Sequence, residues 1–504
     1  MEHQLLIERI NPSYYRLINL TLSEQQFGFV KRFLSEKLSF KVDNYYQIKN
    51  SMINAGKNAD IISEYKNHFK EKTCSFGIGF RSIVINELFK RNYKYKLEDF
   101  DLQPKINIDN YKFNRYYQKE AVQAFFDYGC FGIIKSPTGS GKTYIAIKSH
   151  QIMSESMKGT IRTLMIVKSA IAIKRDVKKD LEEFANFKYN ILDNNLNLDD
   201  SNFLVITIQT LLAASKKSKK DIKIREKLRE LYMTTEFLIV DEGASFSTFL
   251  RKTQLNKFNR AYFRLFLSAT PYKKGSDINK WKILETQYRV IYKIQEKTLV
   301  DKKFLSNVNV IFIKCDSPYL KDMKVKDGFK FNKIYDDYIS NNHDRNLIID
   351  KIYEVVKNMK LKTVFLIRSI EYGRMLKLRY GIPFVFGKTK IELKEKYIDG
   401  FIKGKYCLIA SSIFNEGVNI PEIEVIVNCS GGRDKNLQIQ KKGRVMRKFE
   451  NKKKIYIDII DFGNEYVEDH SLNRIEAIEE TVNKNNIKVV SIDKFEKTLK
   501  DIMK

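Results

Sequence analysis

The densest chemistry in this sequence lies in Ser136-Pro137-Thr138-Gly139-Ser140-Gly141-Lys142-Thr143. An apolar run of β type, Cys130–Ile134, precedes it, and a segment of helical patterning follows. In that setting glycines let backbone N–H groups approach phosphate oxygens. Lys142 can then reach the β- and γ-phosphates, and the Thr143 hydroxyl can meet Mg2+. Ser136 stands where such loops usually begin with glycine. The competing reading is a plain Gly/Ser loop between a strand and a helix.

Asp241-Glu242 closes the apolar run Phe237–Val240. A carboxylate at the carboxyl end of a parallel strand, beside a phosphate loop, is placed to hold Mg2+. Asp241 would do so through water, and Glu242 would polarise an attacking water. Ser268-Ala269-Thr270-Pro271 ends the next apolar run; its hydroxyls, Ser268 and Thr270, can link the nucleotide site to neighbouring loops. Upstream, Arg115-Tyr116-Tyr117-Gln118 opens a helix, and the Gln118 amide can both donate to and accept from the edge of adenine. Farther on, Gln440-Lys441-Lys442-Gly443-Arg444-Val445-Met446-Arg447 sets the Arg444 and Arg447 guanidinium groups one helical turn apart on one face. Such a pair can stabilise charge on a transferring phosphoryl group. Taken singly, these segments would be an acidic strand end, a common strand end, a surface helix start and a basic surface helix.

The elements that must carry these residues follow from the patterning. Apolar runs at Cys130–Ile134, Thr163–Val167, Phe203–Thr207, Phe237–Val240 and Phe263–Leu267 alternate with helix-length segments. A second series follows at Thr363–Ile367, Phe384–Phe386, Tyr406–Ala410, Glu424–Asn428 and Lys454–Ile460. Strands alternating with helices predict parallel sheets with crossover helices, so the fold class is α/β with two tandem parallel-sheet domains. We expect a small N-terminal α+β domain over 1–104 with possible DNA binding, the two α/β domains over 105–304 and 305–465, and a short helical C-terminal extension over 466–504.

Composition sets the outer bounds. The 504 residues are 43% hydrophobic with only 7 prolines, which marks a globular chain. No apolar run reaches the length of a membrane span, and no secretory leader is recognisable, so a cytoplasmic protein without membrane partners is expected. Cys74, Cys130, Cys315, Cys407 and Cys429 form no CxxC pair, and the dispersed histidines have no ligand spacing; neither disulfides nor zinc are expected. A net charge of +30, from 91 Lys and Arg against 61 Asp and Glu, favours a polyanionic partner, though a soluble basic surface would look the same. The cluster Lys216-Lys217-Ser218-Lys219-Lys220 is read as a solvated loop.

In this order, the motifs resemble the helicase-type ATPases of superfamily two, which are built on two RecA-like domains. The resemblance covers roughly 108–465. It implies ATP and Mg2+ as cofactors and assigns ATP contacts to Gln118, Ser136, Pro137, Thr138, Gly139, Ser140, Gly141, Lys142, Thr143, Gly417 and Asn419. The metal falls to Thr143 and Asp241, catalysis to Lys142, Asp241, Glu242, Gln440, Arg444 and Arg447, and coupling to Ser268 and Thr270. Nucleic-acid contacts are assigned to Ser169, Gln209, Thr210, Arg368, Gly387 and Lys388. A narrower resemblance is to the phage UvsW-type helicases, through Phe76-Gly77-Ile78-Gly79 with Ile83–Leu88, and through Asp461-Phe462, Asp469-His470-Ser471 and Arg474. It implies branched DNA as partner and a bacterial host cytoplasm; a monomer is expected.

Three departures stand out. Ala244 replaces the polar residue common at that place, Asn419 the usual Asp, and Lys168 a common Pro. The rival readings are an RNA helicase of the same superfamily, a double-strand translocase that separates no strands, and a scaffold that binds nucleic acid without turnover.

Overall fold

The computed structural model describes residues 3–41, 45–54, 63–99, 106–159, 161–170, 173–242, 253–272, 289–321, 335–411, 420–432, 435–446 and 452–504. The chain divides into two compact units. Unit one is 1–135, 142–168 and 180–293; unit two is 136–141, 169–179 and 294–504.

Unit one opens with seven short strands: β1 (Leu5–Asn11), β2 (Tyr14–Asn19), β3 (Ser39–Lys41), β4 (Tyr65–Asn67), β5 (Phe69–Lys70), β6 (Ser75–Gly77) and β7 (Tyr95–Glu98). Five form a mixed sheet in the order β5-β6-β2-β1-β7, and β3 pairs with β4. Seven more strands build an all-parallel sheet: β8 (Phe131–Lys135), β9 (Thr163–Val167), β10 (Tyr189–Ile191), β11 (Phe203–Thr207), β12 (Phe237–Asp241), β13 (Phe263–Ser268) and β14 (Val290–Lys293). Their order is β10-β11-β9-β12-β13-β8-β14. The strands read as unbroken apolar runs because helices cover both faces of such a sheet. Every residue of β9 and β11 is buried. At Gly132 a Cβ would lie 2.5 Å from Ile291 Cγ2, so any larger residue would force the Ile291 side chain of β14 to shift.

The N-terminal region shares its core with this sheet: Leu5, Ile7, Phe76 and Val84 belong to one hydrophobic cluster with Phe131, Ile133, Leu238 and Phe266. Arg264 of β13 sits at the junction, fully buried. Its guanidinium donates to the carbonyls of Ala261 (2.9 Å), Phe258 (3.1 Å) and Leu255 (3.4 Å) and to Ser13 Oγ (3.0 Å). Burial pulls its pKa down to about 9.

Unit two repeats the plan with β15 (Val308–Asp316), β16 (Thr363–Leu366), β17 (Phe384–Val385), β18 (Leu408–Ala410), β19 (Val425–Asn428), β20 (Lys454–Phe462) and β21 (Ile487–Val490), all parallel. The order is β17-β18-β16-β19-β20-β15-β21, the order of the first sheet with every number raised by seven. The expected helical tail holds helices Glu465–Glu479 and Ile492–Met503, and between them β21, which pairs with β15. Phe495 and Leu499 of the last helix enter the core of unit two.

A buried charged network lies beneath helix Lys435–Gly443. Arg474 Nε donates to Asp458 Oδ2 (3.1 Å), and Arg345 Nε to Asp461 Oδ1 (2.8 Å). Asn428 Nδ2 donates to Asp458 Oδ1 (3.1 Å) and to Gln438 Oε1 (3.2 Å). Lys441 Nζ donates to Asn428 Oδ1 (2.8 Å) and to Ser430 Oγ. Burial pushes the Lys441 ammonium down to about 7, against the opposing pull of Asp458.

Two outcomes follow from these buried cations. Arg264→Ala leaves three carbonyls and a hydroxyl without their donor and should cost unit one about 3 kcal/mol. Faster amide exchange in β12 and β13 would register the loss; unchanged exchange would mean that the cation's desolvation cancels its hydrogen bonds. For Lys441, the unfolded chain keeps its proton to near 10.5 and the folded chain only to about 7. Between these values the unfolded state binds more protons, so stability rises with pH, by up to about 1.4 kcal/mol per pH unit from this group. Melting of the parent and of Lys441→Met at pH 7 and pH 9 should show a shallower pH slope in the variant; parallel slopes would contradict the assignment.

Candidate functional site

The phosphate-loop candidate leaves β8 at Lys135 and enters helix Lys142–Ser156. Gly139 and Gly141 have φ of 83° and 82°, values that L side chains rarely adopt. Ser136 and Ser140 are buried at 1% and 0% exposure, with their hydroxyls in contact, and Ser140 Oγ donates to the Pro137 carbonyl (2.8 Å). Ser136, the departure from glycine, thus ties the base of the loop to its middle. Lys142 and Thr143 are half-buried in the first turn of the helix, the end at which backbone N–H groups favour an anion.

Strand register assembles the rest. Lys135 pairs with Ser268, and Leu267 with Asp241. The ends of β8, β13 and β12 therefore lie side by side, with Asp241 two strand spacings, roughly 10 Å, from the root of the loop. Glu242 follows with φ 56°. Ser268 Oγ donates to Glu242 Oε2 (3.4 Å) and accepts from the Thr270 N–H (3.2 Å). Of the two expected coupling residues, Ser268 thus touches the expected catalytic carboxylate, and Thr270 contacts Ser268. Among the described residues no three His, Cys, Asp or Glu side chains gather to hold a metal. A single carboxylate and a threonine hydroxyl beside a phosphate loop still suit Mg2+, which takes one or two carboxylates and completes its shell with phosphate oxygens and water. Gln118 lies in the first turn of helix Tyr116–Asp127 at 3% exposure.

Farther along the same edge, Thr207 pairs with Val167. Ser169 follows β9, half-buried; Gln209 and Thr210 open helix Ile208–Lys217 after β11. The Thr207 side chain caps that helix by accepting from the Thr210 N–H (2.9 Å), and Gln209 is exposed.

In unit two, Arg368 is exposed between β16 and helix Ile370–Tyr380, while Gly387 and Lys388 are exposed after β17. A Cβ on Gly387 would meet nothing within 4 Å, so packing does not dictate that glycine. Arg368 and Ser369 line a cavity of about 180 Å³ together with Tyr335, Tyr372 and Ser430. Arg444 is buried at 8% just beyond helix Lys435–Gly443. Gly417, Asn419, Ala244 and Arg447 lie outside the described residues, as does the Gln440 side chain. Motif reading missed Ser430 and Tyr335, and also Asn428, which meets Lys441 beneath helix Lys435–Gly443, and Asp458, which Asn428 joins to that lysine; for Asn428, Ser430 and Asp458 the signal was a polar residue ending or interrupting an apolar run.

A family model described as Type III restriction enzyme, res subunit, matches residues 112–273, and the Helicase conserved C-terminal domain matches 330–449. Putative helicase 22 of Sulfolobus islandicus filamentous virus (isolate Iceland/Hveragerdi) is 25% identical over 93% of this chain and 90% of its own. DNA 3'-5' translocase XPB2 of Sulfurisphaera tokodaii is 24% identical over 69% of this chain and 82% of its own. Among solved structures, S. cerevisiae Dbp5 bound to RNA and ADP BeF3 covers 85% of this chain and 100% of its own at 14% identity and a TM-score of 0.52, which is a likeness of fold. T4 UvsW covers 97% of this chain and 100% of its own at 16% identity and a TM-score of 0.41. No helix among the described residues is long and apolar enough to cross a membrane. Two family models lie in series over two sheets of one strand order, and relatives named as helicase and translocase run along most of the chain: it is an ATP-hydrolysing helicase of superfamily two.

Proposed function

We propose that this helicase is a DNA motor that couples ATP hydrolysis to unwinding or remodelling of branched DNA, in replication, recombination or repair. The observation that carries the reading is the shared carboxyl edge of the first sheet. One stretch of it, the ends of β8, β13 and β12, presents the loop, Asp241, Glu242 and Ser268. The next, the ends of β9 and β11, presents Ser169, Gln209 and Thr210.

In this reading the 136–143 loop holds the ATP phosphates, Lys142 neutralises the β- and γ-oxygens, and Gln118 reads the base. Asp241 and Thr143 would hold Mg2+, which would add neutralisation of phosphate charge. Glu242 orients the attacking water and takes its proton, while Ser268 holds the Glu242 carboxylate. Arg444 and Arg447, with Gln440, stabilise the charge that develops on the transferring group. Gly417 and Asn419 complete the ATP contacts. Ser169, Gln209, Thr210, Arg368, Gly387 and Lys388 grip a strand by its phosphates, so sequence preference is low.

DNA is favoured over RNA by two observations. The Sulfurisphaera relative carries a DNA translocase name, and position 244 is Ala where RNA helicases of the DEAD kind have Asp. The net charge of +30 supports a polyanionic partner. We further propose a monomer, and action in the cytoplasm of an infected host, the latter favoured by the viral relative.

Steady-state ATPase at fixed salt with single-stranded DNA, duplex, fork, four-way junction and single-stranded RNA tests the substrate. Forks or junctions should stimulate most; stimulation by RNA alone would move the chain to the RNA helicases, and no turnover with any ligand would leave a scaffold. In the same assay Lys142→Ala and Glu242→Gln should each lose at least 100-fold in kcat, about 3 kcal/mol of barrier. Arg444→Ala should lose turnover and keep DNA affinity within about twofold. Full activity in either of the first two would refute the site assignment.

A further inference from the structure

The chain passes into unit two for the last time at Ile294, and helix Glu296–Asp301 starts two residues later. Its first residue is tied to the arginine-bearing segment. Lys442 Nζ forms an ion pair with Glu296 Oε1 and also donates to Thr481 Oγ1 (2.8 Å), beyond the end of helix Glu465–Glu479. The Lys442 side chain is 0% exposed and that of Glu296 12%. A second tie follows a few residues on, where the Ser306 N–H donates to the Met446 carbonyl (2.8 Å). Arg444 lies between the two ties, and its own turn is closed by Arg444 N–H to Lys441 O (3.2 Å) and Val445 N–H to Lys442 O (3.0 Å).

A buried lysine–carboxylate pair adds little net stability over an apolar pair of the same volume, because desolvation offsets the attraction. What it does provide is one permitted geometry, since an ammonium without its carboxylate cannot stay buried at low cost. Here that geometry links the first turn after the unit boundary to the backbone two residues before Arg444.

We propose that Glu296 is a positioning residue for ATP turnover: through Lys442 it fixes the backbone that presents Arg444, and so delivers displacement of the incoming chain to that arginine. This rests on reading Arg444 as the group that meets phosphate charge. The test is steady-state ATPase with saturating single-stranded DNA on full-length Glu296→Gln, Lys442→Met, their double variant and Arg444→Ala, with melting and DNA affinity measured alongside. Glu296→Gln should lower kcat at least fivefold while the KM for ATP and DNA affinity stay within twofold, and the double variant should be no slower than Lys442→Met. A Glu296→Gln kcat within twofold of the parent, or losses that add in the double variant, would overturn the proposal. If Glu296→Gln fails to fold, Glu296→Asp is read instead: it keeps the charge and shortens the reach, and a threefold or larger fall in kcat at unchanged melting supports the role, whereas parent kcat overturns it. Turnover that survives in Arg444→Ala refutes the arginine reading itself; turnover lost there and kept in Glu296→Gln refutes only the positioning role.

Discussion

A parallel sheet has a polarity, and the chemistry of this protein depends on it. Every strand of each seven-stranded sheet delivers its last residue to the same edge, so residues far apart in sequence become neighbours by register alone. Asp241, Ser268 and Lys135 are such neighbours, as are Val167 and Thr207. Antiparallel pairing would send alternate ends to opposite edges and separate the loop from its carboxylates. The fully buried, apolar interiors of β9, β11 and β12 hold that register, because a slip would carry Asp241 into the sheet interior.

The two units share a strand order and differ in how they treat buried charge. Unit one buries Arg264 on carbonyls and a hydroxyl, at the seam between the N-terminal sheet and the parallel sheet. Unit two buries paired ions, Arg345 with Asp461 and Arg474 with Asp458, and hangs Lys441 from the same cluster through Asn428. Such arrangements constrain geometry more than they stabilise. In unit two the constrained element is helix Lys435–Gly443, which leads directly into Arg444.

Much of the fold was legible because short continuous apolar runs, alternating with helix-length segments, read as strands buried on both faces. Thr163–Val167 and Phe203–Thr207 coincide with β9 and β11, and the runs around Phe237 and Phe263 fall short of β12 and β13 by one polar residue each, Asp241 and Ser268. These are the very residues that pairing brings to the edge. The strands not foreseen are of another kind. β10 and β21 are three and four residues long, only partly buried, and lie at sheet edges, where the apolar signal is weakest. β14 is only four residues long and half-buried, and β15 is long and apolar but lies next to the expected join between domains. Among site residues, the loop was legible because its glycines obey a backbone requirement written in sequence. The contacts of Asn428, Asp458 and Lys441 were not, because they join three elements whose juxtaposition only the sheet order decides.

Glu242 carries the last step of the reasoning. A non-glycine residue at φ 56° costs of order 1 kcal/mol, and such a conformation persists only where its surroundings enforce it. Here the enforcement is visible: β12 is paired on both sides up to Val240, and Ser268 holds the Glu242 carboxylate from the neighbouring strand end. The left-handed turn redirects the chain immediately after Asp241, so that two consecutive carboxylates need not follow the alternating directions of a continuing strand. In the proposed roles that turn lets a metal ligand, Asp241, and a water-orienting base, Glu242, act on one phosphate from different directions.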